Sequence, residues 1–254
     1  MNKKGKPYEH FAELYDEIMG GVDYQAWADY IETLLKKYNS SAENIIDLGC
    51  GTASSTLPFA QRDYQIDGLD ISSSMLSIAR QKAVEQGYSH IKFYEQDLLN
   101  ITVPEKYDLA LVFQDGLNYL LNVTDLAQAF SSVKELLKPE GLFIFDLTRP
   151  SKRPYNEETS IYWIDQDHYT LIWESCYSCT NSLWTVTLTI FHRLENGLYD
   201  KYQERHAEKD HDPLLVEKLL RQAGFKILGC HPSFSLENIA GDEAKLTFIA
   251  KRSG

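Results

Sequence analysis

The residues best placed to do chemistry in this sequence are two acids and two glycines at fixed spacing. Asp47, Gly49 and Gly51 stand in the run Asp47-Leu-Gly49-Cys50-Gly51-Thr-Ala53, directly after Ile45-Ile46, and a second apolar run ends in Gly68-Leu69-Asp70. Glycine has no Cβ, so the backbone can turn sharply there and approach a ligand closely. An acid at the tip of the next strand can accept hydrogen bonds from the paired hydroxyls of a ribose. A dinucleotide site would want a third glycine where Ser54 stands, and no acid beside a pyrophosphate. Asp47 suits a ligand that carries an ammonium group instead.

The stretch resembles motif I of the class I S-adenosylmethionine (SAM) methyltransferases, [DE]-x-G-x-G-x-G, with Ala53 in place of the third glycine. The resemblance continues in order. Asp70-Ile71-Ser-Ser-Ser-Met75 is followed by Glu95-Gln-Asp97-Leu98, where the family has an acid facing the adenine. Tyr107 to Phe113 then reads as a fourth strand ending in Gln114-Asp115-Gly-Leu-Asn118-Tyr119. Leu137-Lys-Pro139-Glu-Gly141 precedes a fifth strand, Leu142 to Asp146. The resemblance implies SAM as cofactor, held by Tyr15, Asp47, Gly49, Cys50, Gly51, Asp70, Ile71, Met75, Asp97, Leu98, Phe113 and Gln114. The Gln114 to Tyr119 segment is similar to the D-S-x-N-Y stretch of bacterial small-molecule methyltransferases. Asp115 there, and His206 further on, are the candidate catalytic bases.

These residues need a scaffold, and the hydrophobic pattern supplies one. Strands and helices alternate from residue 44 to 147, which implies a parallel sheet with right-handed crossovers. Helices are expected after Gly51, over Ser73 to Gln86, over Asp125 to Leu137 and over Pro213 to Ala223; Pro58 is an irregularity in the first. Upstream, Tyr8, Phe11, Leu14, Tyr15 and Ile18 share one helical face, and Asp23 can cap a second helix. The alternation makes the expected fold α/β with N-terminal helices before it, and the methyltransferase resemblance implies a Rossmann-like seven-stranded sheet whose last strand is antiparallel. The core spans 1–154 and 208–254.

Between them, 155–207 reads differently: four runs rich in Thr, Tyr, Trp, Val and Ile, separated by turn residues, predict an antiparallel β meander. An insertion there lies over the C-terminal ends of the parallel strands and forms an acceptor lid. It holds Trp163, Trp173 and Trp184, which either face an acceptor or pack the meander on the core. Residues 151–210 carry 6 basic and 10 acidic side chains, a net charge of −4.

The whole chain of 254 residues has a net charge of −12, which disfavours a phosphate backbone as partner. Lys3, Lys4 and Lys6 form a small basic cluster, expected to be a disordered start. No membrane segment or signal peptide is expected, the protein is expected in the cytoplasm, and its four cysteines are expected to be reduced. Cys176-Tyr-Ser-Cys179 lacks a second C-x-x-C, and His168, His192, His206 and His211 match no metal spacing, so no metal is expected.

The expected reaction is in-line methyl transfer to a small, neutral or cationic acceptor. Transfer to tRNA or protein, a NAD-binding enzyme, and a non-catalytic SAM-binding regulator are the alternatives. Oligomeric state and acceptor identity have no signature in the sequence.

Overall fold

A computed structural model describes residues 3–4, 11–152 and 159–254. The chain order is β1 (Lys3–Lys4), α1 (Ala12–Ile18), α2 (Tyr24–Lys37), β2 (Asn44–Leu48), α3 (Leu57–Ala60), β3 (Gln65–Asp70), α4 (Ser73–Glu85), β4 (Phe93–Glu95), β5 (Tyr107–Val112), α5 (Val123–Leu136) and β6 (Leu137–Thr148). It continues with β7 (Ser160–Asp165), β8 (Tyr169–Ser178), β9 (Leu183–Arg193), β10 (Tyr199–Lys209), α6 (Pro213–Gln222), β11 (Phe225–Pro232) and β12 (Lys245–Arg252).

Seven strands form one sheet in the order β11, β12, β6, β5, β2, β3, β4. β12 runs antiparallel to β6, while β2, β3, β4, β5 and β6 are parallel, as expected for the methyltransferase sheet. Because side chains alternate along a strand, each strand feeds two cores. Ile46, Leu48, Ala110, Val112, Phe143 and Phe145 pack with Leu126, Phe130 and Val133 of α5 and Val216 and Leu220 of α6. Ile45, Leu109, Leu111 and Ile144 pack on the other face with Trp27, Ile31 and Leu34 of α2, the short α3, and Ala79 and Ala83 of α4.

The local signals explain most boundaries. Asp23 accepts the Ala26 N–H at 2.9 Å and caps α2, and Ser72 caps α4 by accepting the Met75 N–H. Pro58 sits in the first turn of α3, where a missing N–H costs nothing, so α3 starts at Leu57 and not at the glycine loop. β6 begins earlier than Leu142: its first residue, Leu137, already pairs with Tyr107, and a bulge with Glu140 at φ 66° follows.

The second sheet has five strands, in the order β1, β10, β9, β8, β7. The meander of β7 to β10 is antiparallel as expected, and β10 runs on to Lys209. The unforeseen member is β1: Lys3 and Lys4, expected to be a disordered start, pair in parallel with Tyr202 and Gln203. Lys6, Tyr8 and residues 155–158 lie outside the described residues.

A third core joins this sheet to the N-terminal helix. Phe11 and Leu14, with Tyr15 and Ile18 at their side, pack on Tyr169, Leu171, Val186, Leu188 and Ile190. Among the three insertion tryptophans, Trp173 and Trp184 pack against this core, whereas Trp163 on the edge strand is 72% exposed. No helix among the described residues is long and apolar enough to cross a membrane.

Candidate functional site

Gly49, Gly51 and Ala53 all adopt left-handed backbone, at φ 76°, 53° and 64°. That alternation folds the loop after β2 back under the tip of β3, where the N–H groups of Gly49 and Cys50 donate to the Leu69 carbonyl at 2.7 and 3.0 Å. It also explains the third glycine of the motif: the position requires a conformation that costs an alanine about 1 kcal/mol or more.

Asp70 sits at the end of β3. Its Oδ2 accepts the Gly51 N–H at 2.9 Å and its Oδ1 the Ser72 N–H at 2.8 Å. A carboxylate has about four lone-pair directions, so each oxygen keeps one for a ligand hydroxyl. Burial raises the Asp70 pKa, and the N–H donors of Ser72, Gly51 and Ile71 pull against that.

A narrow cavity opens above this loop, lined by Tyr15, Tyr24, Gly49, Cys50, Gly51, Thr52, Ser54, Ser55, Phe113 and Gln114. Of the residues expected to bind cofactor, Tyr15, Gly49, Cys50, Gly51, Phe113 and Gln114 are therefore brought together. Asp70 borders them through its bond to Gly51. Met75 is buried in the first turn of α4, Ile71 and Asp97 are exposed, and Leu98 is half-buried, all outside the lining.

Asp47, expected to bind cofactor, is enclosed by the loop and is not among the cavity-lining residues. It is 2% exposed, and its Oδ2 accepts hydrogen bonds from Ser55 and Thr56 at 2.7 Å each. The carboxylate lies beneath the loop, enclosed by those two hydroxyls. Burial pushes its pKa up to about 6, against the two hydroxyl donors. The Cys50 thiol turns inward to the sheet, where Gly68 leaves room for its sulfur, and burial raises its pKa well above the ordinary thiol range. Such a thiol is inert as a nucleophile.

No motif or spacing in the sequence signals the latch over this loop. Asp16 on α1 accepts hydrogen bonds from Thr52 Oγ1 at 2.5 Å and Ser54 Oγ at 2.8 Å, and Lys82 of α4 donates to both Asp16 and Ser54 at 2.7 Å. Tyr24, also unforeseen, lines the cavity beside Tyr15; burial, then the charge of Asp16, push its phenol up to about 12. It stays protonated at neutral pH.

The two catalytic candidates diverge. Asp115 Oδ1 is engaged by Lys245 Nζ at 2.9 Å and by the Thr148 hydroxyl, so its near lone pairs are occupied. Asn118 is buried and staples the turn, donating to the Thr148 and Lys209 carbonyls at 2.8 Å. His206 on β10 is 4% exposed and meets Tyr119 Oη through Nδ1 at 3.2 Å. Its Nε2 lies 3.6 Å from Glu204 Oε2, and the other oxygen of Glu204 accepts the Phe11 N–H at 3.0 Å. Phe11 stands edge-on to both His206 and Tyr15, with ring centroids 6.4 and 5.6 Å away. Side chains of Tyr15, Phe11, His206 and Tyr119 thus run continuously from the cofactor cavity to the second sheet.

A roomier cavity of about 480 Å³ lies at the other end of the sheet, between Asn44, Gln65, Lys92, Glu105, Tyr107 and Lys138. Its lysines pair with Glu105 and Asp108. Parallel sheets bind ligands at the opposite, C-terminal edge, where the glycine loop stands.

The cavity as it stands holds only about 20 Å³, so it must widen to admit a nucleoside; its chemistry, a rim carboxylate, three loop hydroxyls, aromatic walls and open space at the Gly49 Cβ position, suits an adenosine with a sulfonium side chain. Comparisons with known proteins agree. A family profile described as a methyltransferase domain matches residues 45–141. A candidate methyltransferase of Geobacillus sp. (strain WCH70) is 32% identical over 248 residues, covering 96% of this chain and 99% of the relative. The crystal structure of a SAM-dependent methyltransferase from Clostridium acetobutylicum ATCC 824 superposes with a TM-score of 0.83 at 28% identity, covering 97% of this chain and 99% of that one. The sugar N-methyltransferase KedS8 from Streptoalloteichus sp ATCC 53650, at 14% identity, shares the fold with a TM-score of 0.78, over 100% of this chain and 96% of its own. From the left-handed glycine loop to the order of the seven strands, the chain belongs to the S-adenosylmethionine-dependent methyltransferases.

Proposed function

We propose that the protein methylates a small-molecule acceptor held between the C-terminal edge of the parallel sheet and the inserted sheet, which together with α1 acts as the lid. The observation that carries this is the His206 to Tyr119 contact: Tyr119 follows β5 in the same loop as Phe113 and Gln114 of the cofactor cavity, and His206 belongs to the second sheet. Acceptor and methyl donor would meet there. KedS8, named for a sugar amine as its acceptor, has the same architecture and supports a small acceptor.

SAM, when bound, would supply a methyl group activated by its sulfonium: the acceptor lone pair would bond to the methyl carbon and the C–S electron pair would stay on sulfur. The protein's own residues then have limited tasks. Asp70 holds and orients the ribose end, and α1 with Tyr15 and Phe11 closes the site to water. His206 is the proposed acceptor of the proton that the nucleophile loses, oriented by Tyr119 and Glu204. Asp115 is assigned to holding its turn.

Incubation with methyl-labelled SAM and a fractionated cell extract tests the reading. Label is expected in the low-molecular-weight pool. Label confined to tRNA or protein fractions would overturn it.

A further inference from the structure

Lys245 opens β12, a hundred residues beyond the last motif that marks the cofactor site, yet its Nζ lies 2.9 Å from Asp115 Oδ1 and 3.0 Å from Asp146 Oδ2. It also stands 5.6 Å from the centre of the Trp27 ring, which packs on Phe113 at 4.8 Å. Asp146 is fully buried at the end of β6 and accepts the N–H groups of Gln114 and Asp115, at 3.2 and 3.1 Å. Those two residues are consecutive, neither is glycine, and both are left-handed, at φ 55° and 67°. Such backbone persists only where surrounding contacts over-determine it.

We propose that Lys245 is a positioning residue for the methyl-donor site. Its ammonium lets the partly exposed Asp115 and the buried Asp146 stand side by side, and the two carboxylates, so held, fix the left-handed turn that presents Phe113 and Gln114 to the cofactor cavity. Two carboxylates and one ammonium leave a single net negative charge. Without the ammonium, adjacent ionised carboxylates repel. The Asp146 oxygens then lose their alignment with the two N–H groups, and Gln114 is released. Lys245 touches no reacting atom; it acts through the turn.

The inference rests on reading the cavity as the SAM site, and the experiment separates the two. Wild type, Lys245→Met, Lys245→Met with Asp115→Asn, and Asp146→Asn are titrated with S-adenosylhomocysteine by calorimetry, and each is melted. Lys245→Met is expected to weaken binding by about tenfold or more among folded molecules. The double variant is expected to return to within about threefold of wild type, because asparagine tolerates left-handed backbone and its amide can donate to Asp146. Asp146→Asn is expected to bind weakly with Lys245 intact, since it can no longer accept both N–H groups.

A folded Lys245→Met at wild-type affinity, a double variant that binds poorly, or Asp146→Asn at wild-type affinity would each overturn the proposal. A merely structural lysine would lower the melting temperature without changing the affinity of the folded fraction, and removing a carboxylate would not restore it. Should Lys245→Met unfold, the double variant and Asp146→Asn decide. Wild-type protein that bound no S-adenosylhomocysteine would sink the cofactor reading together with this proposal; wild-type binding with any of the three adverse results sinks the proposal alone.

Discussion

Asp16 of α1 and Lys82 of α4 form an ion pair of 2.7 Å across the rim of the glycine loop, with the Thr52 and Ser54 hydroxyls gathered onto the same carboxylate. The opposite, apolar face of α1 is buried in the second sheet. α1 therefore connects the acceptor side of the molecule to the cofactor loop.

Asp16→Ala removes this latch. The pair is part-exposed and its own contribution to global stability is small, but the loop loses the acceptor of two hydroxyls and the cover loses its anchor. S-adenosylhomocysteine affinity is expected to fall by about tenfold, with the melting temperature within a few degrees of wild type, and calorimetry with thermal melts reads both. Burial raises the Asp16 pKa, but Lys82 and the two hydroxyls outweigh it and hold it low. The latch is therefore intact above the ordinary carboxylate range and weakens as pH falls through the lowered pKa.

Asp70→Ala deletes the rim carboxylate. Hydrogen bonds to a charged acceptor contribute about 1.5–3 kcal/mol, so affinity for S-adenosylhomocysteine is expected to drop by one to two orders of magnitude. Asp70→Asn, which keeps one acceptor oxygen, should fall between. Unchanged titration curves for Asp70→Ala would rule out its contact with the ribose.

Asp47 gives a pH dependence of defined sign. Its pKa is about 6 in the folded protein and about 3.9 in an unfolded chain. The folded state therefore holds the proton longer, and its contribution to stability declines as pH rises from about 4 to about 6, then stays level. The decline is on the order of 3 kcal/mol. Urea unfolding at several pH values should show wild type losing stability relative to Asp47→Asn across that window; a constant difference between the two would refute the assignment.

His206→Asn and Tyr119→Phe separate proton handling from binding. Loss of a positioned base costs about 10²- to 10⁴-fold in rate, so His206→Asn should slow methyl transfer to the labelled acceptor fraction by that order while leaving S-adenosylhomocysteine affinity near wild type. Tyr119→Phe should slow it less, because His206 keeps its ring but loses its Nδ1 partner. A variant of His206 with full activity would return the residue to a structural role.

Deleting residues 155–207 is a different test than the sequence suggests. Read as a detachable lid, the insertion could be removed with cofactor binding spared. In the folded protein Phe11 and Leu14 would lose Tyr169, Leu171, Val186, Leu188 and Ile190 as neighbours, and Asp16 sits on the same helix. The deletion is expected to abolish S-adenosylhomocysteine binding together with transfer; retained binding would show that α1 docks without the sheet.

The seven-stranded order with its antiparallel last strand was legible through the family resemblance; the alternation of strands and helices, the antiparallel meander and the cofactor loop were determined by the sequence alone. Each follows from a local rule: alternating apolar residues, a capping Asp23 or Ser72, and glycines where left-handed backbone is required. Such rules act over a few residues and leave their mark in order along the chain. Tertiary structure alone decided which polar groups face the cavity and which are sealed below it. Asp47 and Asp70 look equivalent as strand-end acids, yet only the second reaches the rim, because Ser55 and Thr56 close over the first. Asp16 with Thr52, His206 with Tyr119, and Lys245 with Asp115 are separated by 36, 87 and 130 positions in the chain. No spacing rule spans such gaps; these pairs exist because three packed cores bring α1, β10 and β12 to the same edge of the sheet, where burial makes each polar group find a partner.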